Sequence, residues 1–320
     1  DVLGSRGLGD VYKRQVSYIY MGIWRSHMKG IIIASFGSIY KEAVETSIGT
    51  IESKVRSLYR DVEVRRVFLS DALVEKWNEK YDDTIASFTD VMQEFSRKGI
   101  DEVYIQPITL VADQCYQQMR KQALKFLHSS EYNFSQVNIG KPLLTSLGVK
   151  NYADDYEATL DGIMRHINTK SLNKSILLMA NGQNQLEFST LQLKAMYGSA
   201  PNVAVFTTNG FPTFKQALTL VDRMGHKDVL VVPLALIGST HLMDYLGGDR
   251  SDSIYALLTE QGYNVDIWNE GLGENPYVQD LFLKHLGQAI RMSDRKRSSQ
   301  RESYQTVIRP SRIEAQGMIS

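Results

Sequence analysis

One strand pattern occurs twice in this chain, and that repetition limits the fold more than any other feature. Gly225–His241 reads G-H-K-D-V-L-V-V-P-L-A-L-I-G-S-T-H. Gly99–Cys115 follows the same plan at a constant offset of 126 positions, pairing Gly99 with Gly225, Val103 with Val229, Pro107 with Pro233, Leu110 with Leu236 and Cys115 with His241. In each copy an apolar run stops at a proline and restarts. Val229–Val232 shows no polar alternation, which suits a strand buried on both faces, as in a parallel sheet covered by helices. A residue just past such a strand lies where parallel sheets place ligands, outside the carboxyl ends. Cys115 and His241 both hold that position.

The remaining chain alternates between strand and helix patterns. Strands are predicted over Gly30–Ser35, Glu63–Leu69, Val103–Val111 and Val137–Gly140, and again over Ser175–Ala180, Asn202–Thr207, Val229–Leu236 and Asn264–Trp268. Helical spacing covers Glu42–Tyr59, Asp71–Lys80, Ile85–Lys98, Cys115–Leu127, Tyr152–Asn168, Thr213–Met224 and Tyr277–Met292. Strands separated by helices imply right-handed crossovers and a parallel, doubly wound sheet. The first strand breaks at Phe36-Gly37 and its counterpart at Asn181-Gly182, where Gly182 lies 145 positions beyond Gly37; Val265 lies 128 beyond Val137. Three correspondences in the same order predict a duplication. The fold expected is α/β, with two similar doubly wound parallel-sheet domains facing a central cleft: an N-terminal half over 28–150 and a C-terminal half over 151–276. A closing helix over 277–292 and a tail over 293–320 follow. The tail is basic around Arg291–Arg301, with no interleaved aromatic residue, and reads as solvated and unstructured. Residues 1–27 read as a leader foreign to this pattern, with Met28 the better start; a mainly apolar segment of only nine residues over Val16–Trp24, without a small-residue cleavage site, makes a poor signal peptide.

Charge and composition narrow the partner. Lys plus Arg and Asp plus Glu are 36 each, so no global field favours nucleic acid or an acidic membrane. One cysteine excludes an internal disulfide framework, and no run approaches the roughly 18 apolar residues of a membrane span. A cytoplasmic protein with a small-molecule partner is expected, without nucleic acid or membrane; assembly into a homo-oligomer stays open. No dinucleotide fingerprint, P-loop, nucleophile elbow or paired C-x-x-C is present, which argues against a nucleotide.

The residues after strands are the candidates for a site. Ser35, Phe36, Gly37 and Ser38, with Asn181 and Gly182, offer hydroxyl, amide and backbone donors. Glycine there allows close approach, and it serves any tight strand-to-helix turn equally. His241 is a metal ligand or proton acceptor, or a loop residue. Cys115 opposite it is a soft ligand or a small buried hydrophobe. Asp113 and Glu270 are carboxylates for the cleft, or helix caps. His128, His166 and His285 fall on or beside helices and read as structural or exposed.

Four stretches, A-S-F-G-S-I-Y at 34–40, I-G-K-P-L-L at 139–144, V-P-L-A-L-I-G-S-T-H at 232–241 and G-L-G-E-N-P at 271–276, together resemble the anaerobic cobalt chelatase family, the sirohydrochlorin cobaltochelatases of cobalamin synthesis. The resemblance implies two class II chelatase-type halves around a flat tetrapyrrole, with Co²⁺ as metal substrate and Ni²⁺ or Fe²⁺ as alternatives. It implies a catalytic, metal-contacting role for His241; the position of Cys115 opposite it suggests a further metal ligand, and the residues after strands and in the loops beside them, Ser35, Phe36, Gly37, Ser38, Asn181, Gly182, Asn209, Glu270 and Gly273, are the expected substrate contacts. The sequence departs from the family pattern where a histidine in a G-H-G context reads Asn181, where a first-domain glutamate reads Cys115, and where a glutamate before G-x-P reads Asn209. Amides neither take up protons near neutral pH nor bind first-row metals as imidazole does. The resemblance therefore implies a metal chelatase or, in a second reading, a tetrapyrrole-binding carrier or sensor that has lost turnover.

Overall fold

The computed structural model describes residues 28–149, 153–171, 173–182, 184–198, 200–238, 246–247 and 251–308. Residues 1–27, expected above to be a leader, His241 and residues 309–320 of the expected tail lie outside that set. The first lobe runs β1 (Met28–Ser35), α1 (Lys41–Val44), α2 (Thr50–Leu58), β2 (Glu63–Phe68), α3 (Asp71–Lys80), β3 (Ala86–Ser87), α4 (Phe88–Arg97), β4 (Ile100–Ile108), α5 (Gln114–His128) and β5 (Gln136–Ile139). The second runs α6 (Asp155–Ser171), β6 (Ser175–Ala180), α7 (Gln185–Tyr197), β7 (Val203–Thr207), α8 (Phe214–Met224), β8 (Asp228–Leu234), α9 (Ile254–Glu260), β9 (Asn264–Ile267) and α10 (Pro276–Ile308).

The strand orders are β3-β2-β1-β4-β5 and β7-β6-β8-β9, and every pairing is parallel. Removing the two-residue β3 leaves the same order in both sheets, as a duplication requires. The strands obey a period of two. Ile31 and Ile33 join one core while Ile32 and Ala34 join another. Likewise Ile176, Leu178 and Ala180 face the same shared core as Ile31, and Leu177 and Met179 face outward onto α8 and α9. One hydrophobic layer therefore serves both lobes, and each sheet has a second layer of its own.

The repeated prolines have a structural reason. β4 pairs with β5 only from Glu102 to Ile105, and β8 with β9 only from Asp228 to Val231. Pro107 and Pro233 come after the outer neighbour has ended, so the missing N–H costs no ladder bond. Beyond each proline, loops take over the pairing. Leu143 N donates to Thr109 O and Leu144 N to Leu110 O (2.9 and 2.7 Å), while Leu272 N donates to Ala235 O and Gly273 N to Leu236 O (2.7 and 2.8 Å). The duplication extends through these loops.

Several boundaries differ from the expected ones. A continuous helix over Glu42–Tyr59 is interrupted by a π-helical turn at Glu45–Gly49. The helix expected from Ile85 starts at Phe88, because Ser87 adopts an extended conformation and forms a capping box with Asp90, freeing Ala86–Ser87 to pair with Val67–Phe68. β4 ends at Ile108 rather than Val111. The closing helix continues to Ile308, so the basic tract expected to be unstructured is helical through that residue. Residues 293–308 contain neither glycine nor proline, which suits a continuing helix.

α10 returns to the first lobe. It packs on α6, β4 and β5. Tyr104 and Ser293 hydroxyls are hydrogen-bonded at 3.2 Å. His285, 1% exposed, meets Asp155 Oδ1 through Nε2 at 3.1 Å and Lys141 O through Nδ1 at 3.3 Å. Asp155 also accepts from Ser146 N at 2.9 Å. The connection between the halves is thus fastened to the last helix. β7 is an edge strand, yet its outward N–H groups are occupied: Val203 N by Ala200 O, Val205 N by Gln192 Oε1 and Thr207 N by Pro212 O. Occupied donors blunt an edge against pairing with another chain.

Candidate functional site

In each sheet the strand order reverses direction between its first and third strands, β1 beside β4 and β6 beside β8. The crossovers leave a crevice beyond the carboxyl ends at such a switch point. Here the two crevices open onto one cavity of about 420 Å³. Its walls come from Ser35–Gly37 after β1, Ile108–Val111 after β4, Asn181 and Asn184 after β6, and Ala235–Ile237 after β8. Ile48 from the π-helical turn and Phe188 from α7 complete the apolar lining. A separate cavity of about 380 Å³ lies between α7 and α8 on the outside of β7 and shares no lining residue with the cleft.

The structure brings six of the expected site residues into this cavity: Ser35, Phe36, Gly37, Asp113, Cys115 and Asn181. Gly37 and Gly182 hold left-handed φ values of 102° and 118°, so both chains turn out of their strands in a conformation that favours glycine. Phe36, 53% exposed, presents its ring at the mouth, a large apolar face suited to a flat ligand. Asn181 Oδ1 accepts from Thr208 Oγ1 at 3.0 Å. Ser35 and Thr109 hydroxyls are buried and lack a hydrogen-bond partner. A buried hydroxyl without a partner costs about 1–3 kcal/mol.

Cys115 sits half-buried on the first turn of α5. Burial, and then the charge of Asp113, push its thiol up. It is therefore neither the fully buried hydrophobe nor an activated thiolate. Asp113 caps α5, its Oδ1 accepting from Tyr116 N at 2.9 Å.

The other expected residues stand elsewhere. Ser38 Oγ accepts from Tyr40 N at 3.2 Å and shapes the local turn. Gly182 and Asn209 do not line the cavity, and Asn209 is exposed. Glu270 Oε2 is 2.8 Å from His166 Nε2, whose ring meets Trp268 edge-on at 5.5 Å. Gly273 has no open face: a Cβ there would stand 2.6 Å from both Leu236 O and Ser47 Cβ. Its need for glycine is close packing between a second-lobe loop and the π-helical turn. His241 lies outside the described residues, and Ile237 is the last cavity-lining residue before it in the chain. Among the described residues no group of three or more His, Cys, Asp or Glu is placed to hold a metal ion, and no helix is long and apolar enough to cross a membrane.

Sequence reasoning missed Thr109, Ile48, Asn184 and Phe188. Thr109 was legible in the repeat itself, where P-I-T-L faces P-L-A-L and the threonine stands out against alanine. Ile48 was hidden because a regular helix would have given it only a core position.

Two parallel α/β lobes meeting at their strand ends around one cleft define a protein of the class II chelatase type. The chain belongs to the cobalt chelatase (CbiK) family, whose description matches residues 29–291. It is 23% identical over 277 residues to the sirohydrochlorin cobaltochelatase of Salmonella typhimurium, covering 83% of this chain and 97% of that protein. Among solved structures, it is similar to the sirohydrochlorin chelatase SirB from Bacillus subtilis subspecies spizizenii in complex with cobalt, with a TM-score of 0.54 and 12% identity over 82% of this chain and 95% of that one. SirB from Bacillus subtilis with Fe³⁺ matches with a TM-score of 0.55 and 13% identity over 83% and 97% of the two chains.

Proposed function

We propose that the cleft binds a carboxylate-bearing tetrapyrrole of the sirohydrochlorin kind and that the chain inserts a divalent metal into it, Co²⁺ first, with Ni²⁺ or Fe²⁺ as alternatives. The observation that carries this reading is the single cavity built from both switch points, with the exposed Phe36 ring at its mouth, in a member of this family. Insertion exchanges two pyrrole N–H protons for M²⁺, so the site must accept protons and deliver the metal. Neutral imidazole suits both tasks near pH 7, and His241 is the proposed base and metal contact. The raised Cys115 thiol stays protonated there, which makes it the weaker metal-ligand candidate. A cytoplasmic setting, where reductants keep a lone cysteine as thiol, agrees with this role.

A second reading, a carrier or sensor of the same ligand, is favoured by the amides at Asn181 and Asn209. One measurement separates the two. The protein is incubated with sirohydrochlorin and Co²⁺, and metallation is followed by absorbance beside a His241→Ala variant. A wild-type rate above background that falls in the variant supports insertion. Tight binding without such a rate refutes it and leaves the carrier. Absence of binding removes both.

A further inference from the structure

Ser35 and Thr109 differ from the rest of the cleft lining. They are 1% and 6% exposed, their hydroxyl oxygens have no hydrogen-bond partner, and both line the cavity. They are close in the sheet, since Ser35 is level with Ile108, the residue before Thr109.

The duplication supplies an internal comparison. Leu69 N donates to Ser35 O at 2.8 Å in the first lobe, and Thr208 N donates to Ala180 O at 3.0 Å in the second. Leu143 N donates to Thr109 O at 2.9 Å, and Leu272 N to Ala235 O at 2.7 Å. By backbone pairing, then, Ser35 corresponds to Ala180 and Thr109 to Ala235. The second lobe builds the same strand ends with two alanines, so the fold does not call for hydroxyls there. Burial without a partner opposes folding, and an unsatisfied polar pair of this kind requires another explanation.

We propose that the Ser35 and Thr109 hydroxyls together donate to a peripheral carboxylate of the bound ring and make the first-lobe wall the specificity-determining end of the cleft. The assignment rests on the tetrapyrrole reading and deepens it. Among the described residues no lysine or arginine lines the cavity, and its one charged lining residue, Asp113, is engaged in capping α5, so a carboxylate reaching the Ser35 and Thr109 wall is held by neutral donors. The opposite wall carries Asn181 and Asn184, and Asn184 precedes α7 without capping it through its side chain. The two ends of the cleft therefore differ chemically. A site that hydrogen-bonds a substrate group discriminates against analogues lacking it far better than an apolar pocket discriminates by size.

The test uses the full chain and two metal-free rings, uroporphyrin and its methyl ester, with binding read by fluorescence quenching. Wild type is expected to prefer uroporphyrin. Ser35→Ala combined with Thr109→Val is expected to weaken uroporphyrin by about tenfold or more and to leave the ester unchanged. The ligand-free double variant should melt no lower than wild type, because it loses only unpaired hydroxyls. An unaltered preference, an equal loss for both rings, or a clearly lower melting temperature overturns the assignment. If wild type binds neither ring, the tetrapyrrole reading falls and takes this proposal with it. If wild type binds and the variant keeps its preference, only the hydroxyl assignment falls.

Discussion

Asp155→Ala tests the fastening between the two halves. The carboxylate is 3% exposed, accepts from Ser146 N, and meets a His285 ring that is 1% exposed. Its removal leaves the buried imidazole with only the Lys141 carbonyl and Ser146 N–H without its acceptor, a change that costs about 3–5 kcal/mol. For a chain of 320 residues, an unfolding entropy of roughly 2.1 cal/mol/K per residue converts this into a Tm lowered by about 4–8 °C. The pH dependence follows from the same group. Burial pushes the Asp155 carboxyl up, but the hydrogen bond and charge of His285, helped by Ser146 N–H and Lys141, more than offset it and hold the carboxyl below its ordinary range. A depressed folded value contributes stability above the unfolded pKa of about 3.9 and loses it as pH falls through the folded one. Calorimetry at pH 7 and pH 3 should show a wide gap between wild type and variant at pH 7 that narrows in acid. A drop under about 2 °C at pH 7, or a gap of equal size at pH 3, would refute the reasoning.

Gly273→Ala should destabilise by about 1–3 kcal/mol, because the new methyl meets backbone at Leu236 and the Cβ of Ser47; urea unfolding reads this as a lower midpoint with an unchanged slope. Cys115 should react with iodoacetamide more slowly than a free thiol at pH 8 and accelerate above about pH 9, and reaction at the free-thiol rate would contradict the raised pKa. Gln192→Leu should cost about 1–3 kcal/mol by stripping Val205 N–H of its acceptor, and sedimentation should show more self-association as the β7 edge becomes available. Asn181→His with Asn209→Glu should raise the metallation rate if the amides limit proton uptake; an unchanged rate assigns the limit elsewhere.

Periodicity and repetition made the architecture readable. Ser175–Ala180 and Asp71–Lys80 have the bounds expected from the sequence, and the paired prolines marked both inner strands. What stayed hidden depends on contacts distant in the chain. Nothing local tells that Gly273 is wedged against Ser47, or that Glu270 is taken by His166. The π-helical turn is equally silent, since the spacing of Val44, Ile48 and Ile51 fits an ordinary helix. Asn209 was legible as a loop residue after a strand, but nothing in the spacing tells that it stands outside the cavity.

The return of α10 to the first lobe bears on how the protein is made. A ribosome releases residues 28–149 well before Pro276, yet Tyr104 and Ile108 share their hydrophobic layer with Phe282 and Leu286. The nascent first half must emerge with part of one sheet face uncovered and wait for the last helix to be synthesised. Apart from β3, the two lobes share one strand order, yet a common hydrophobic layer packs them together. A fragment ending at residue 149 would leave that face uncovered, and it should need a chaperone or the missing helix, added in trans, to stay in solution.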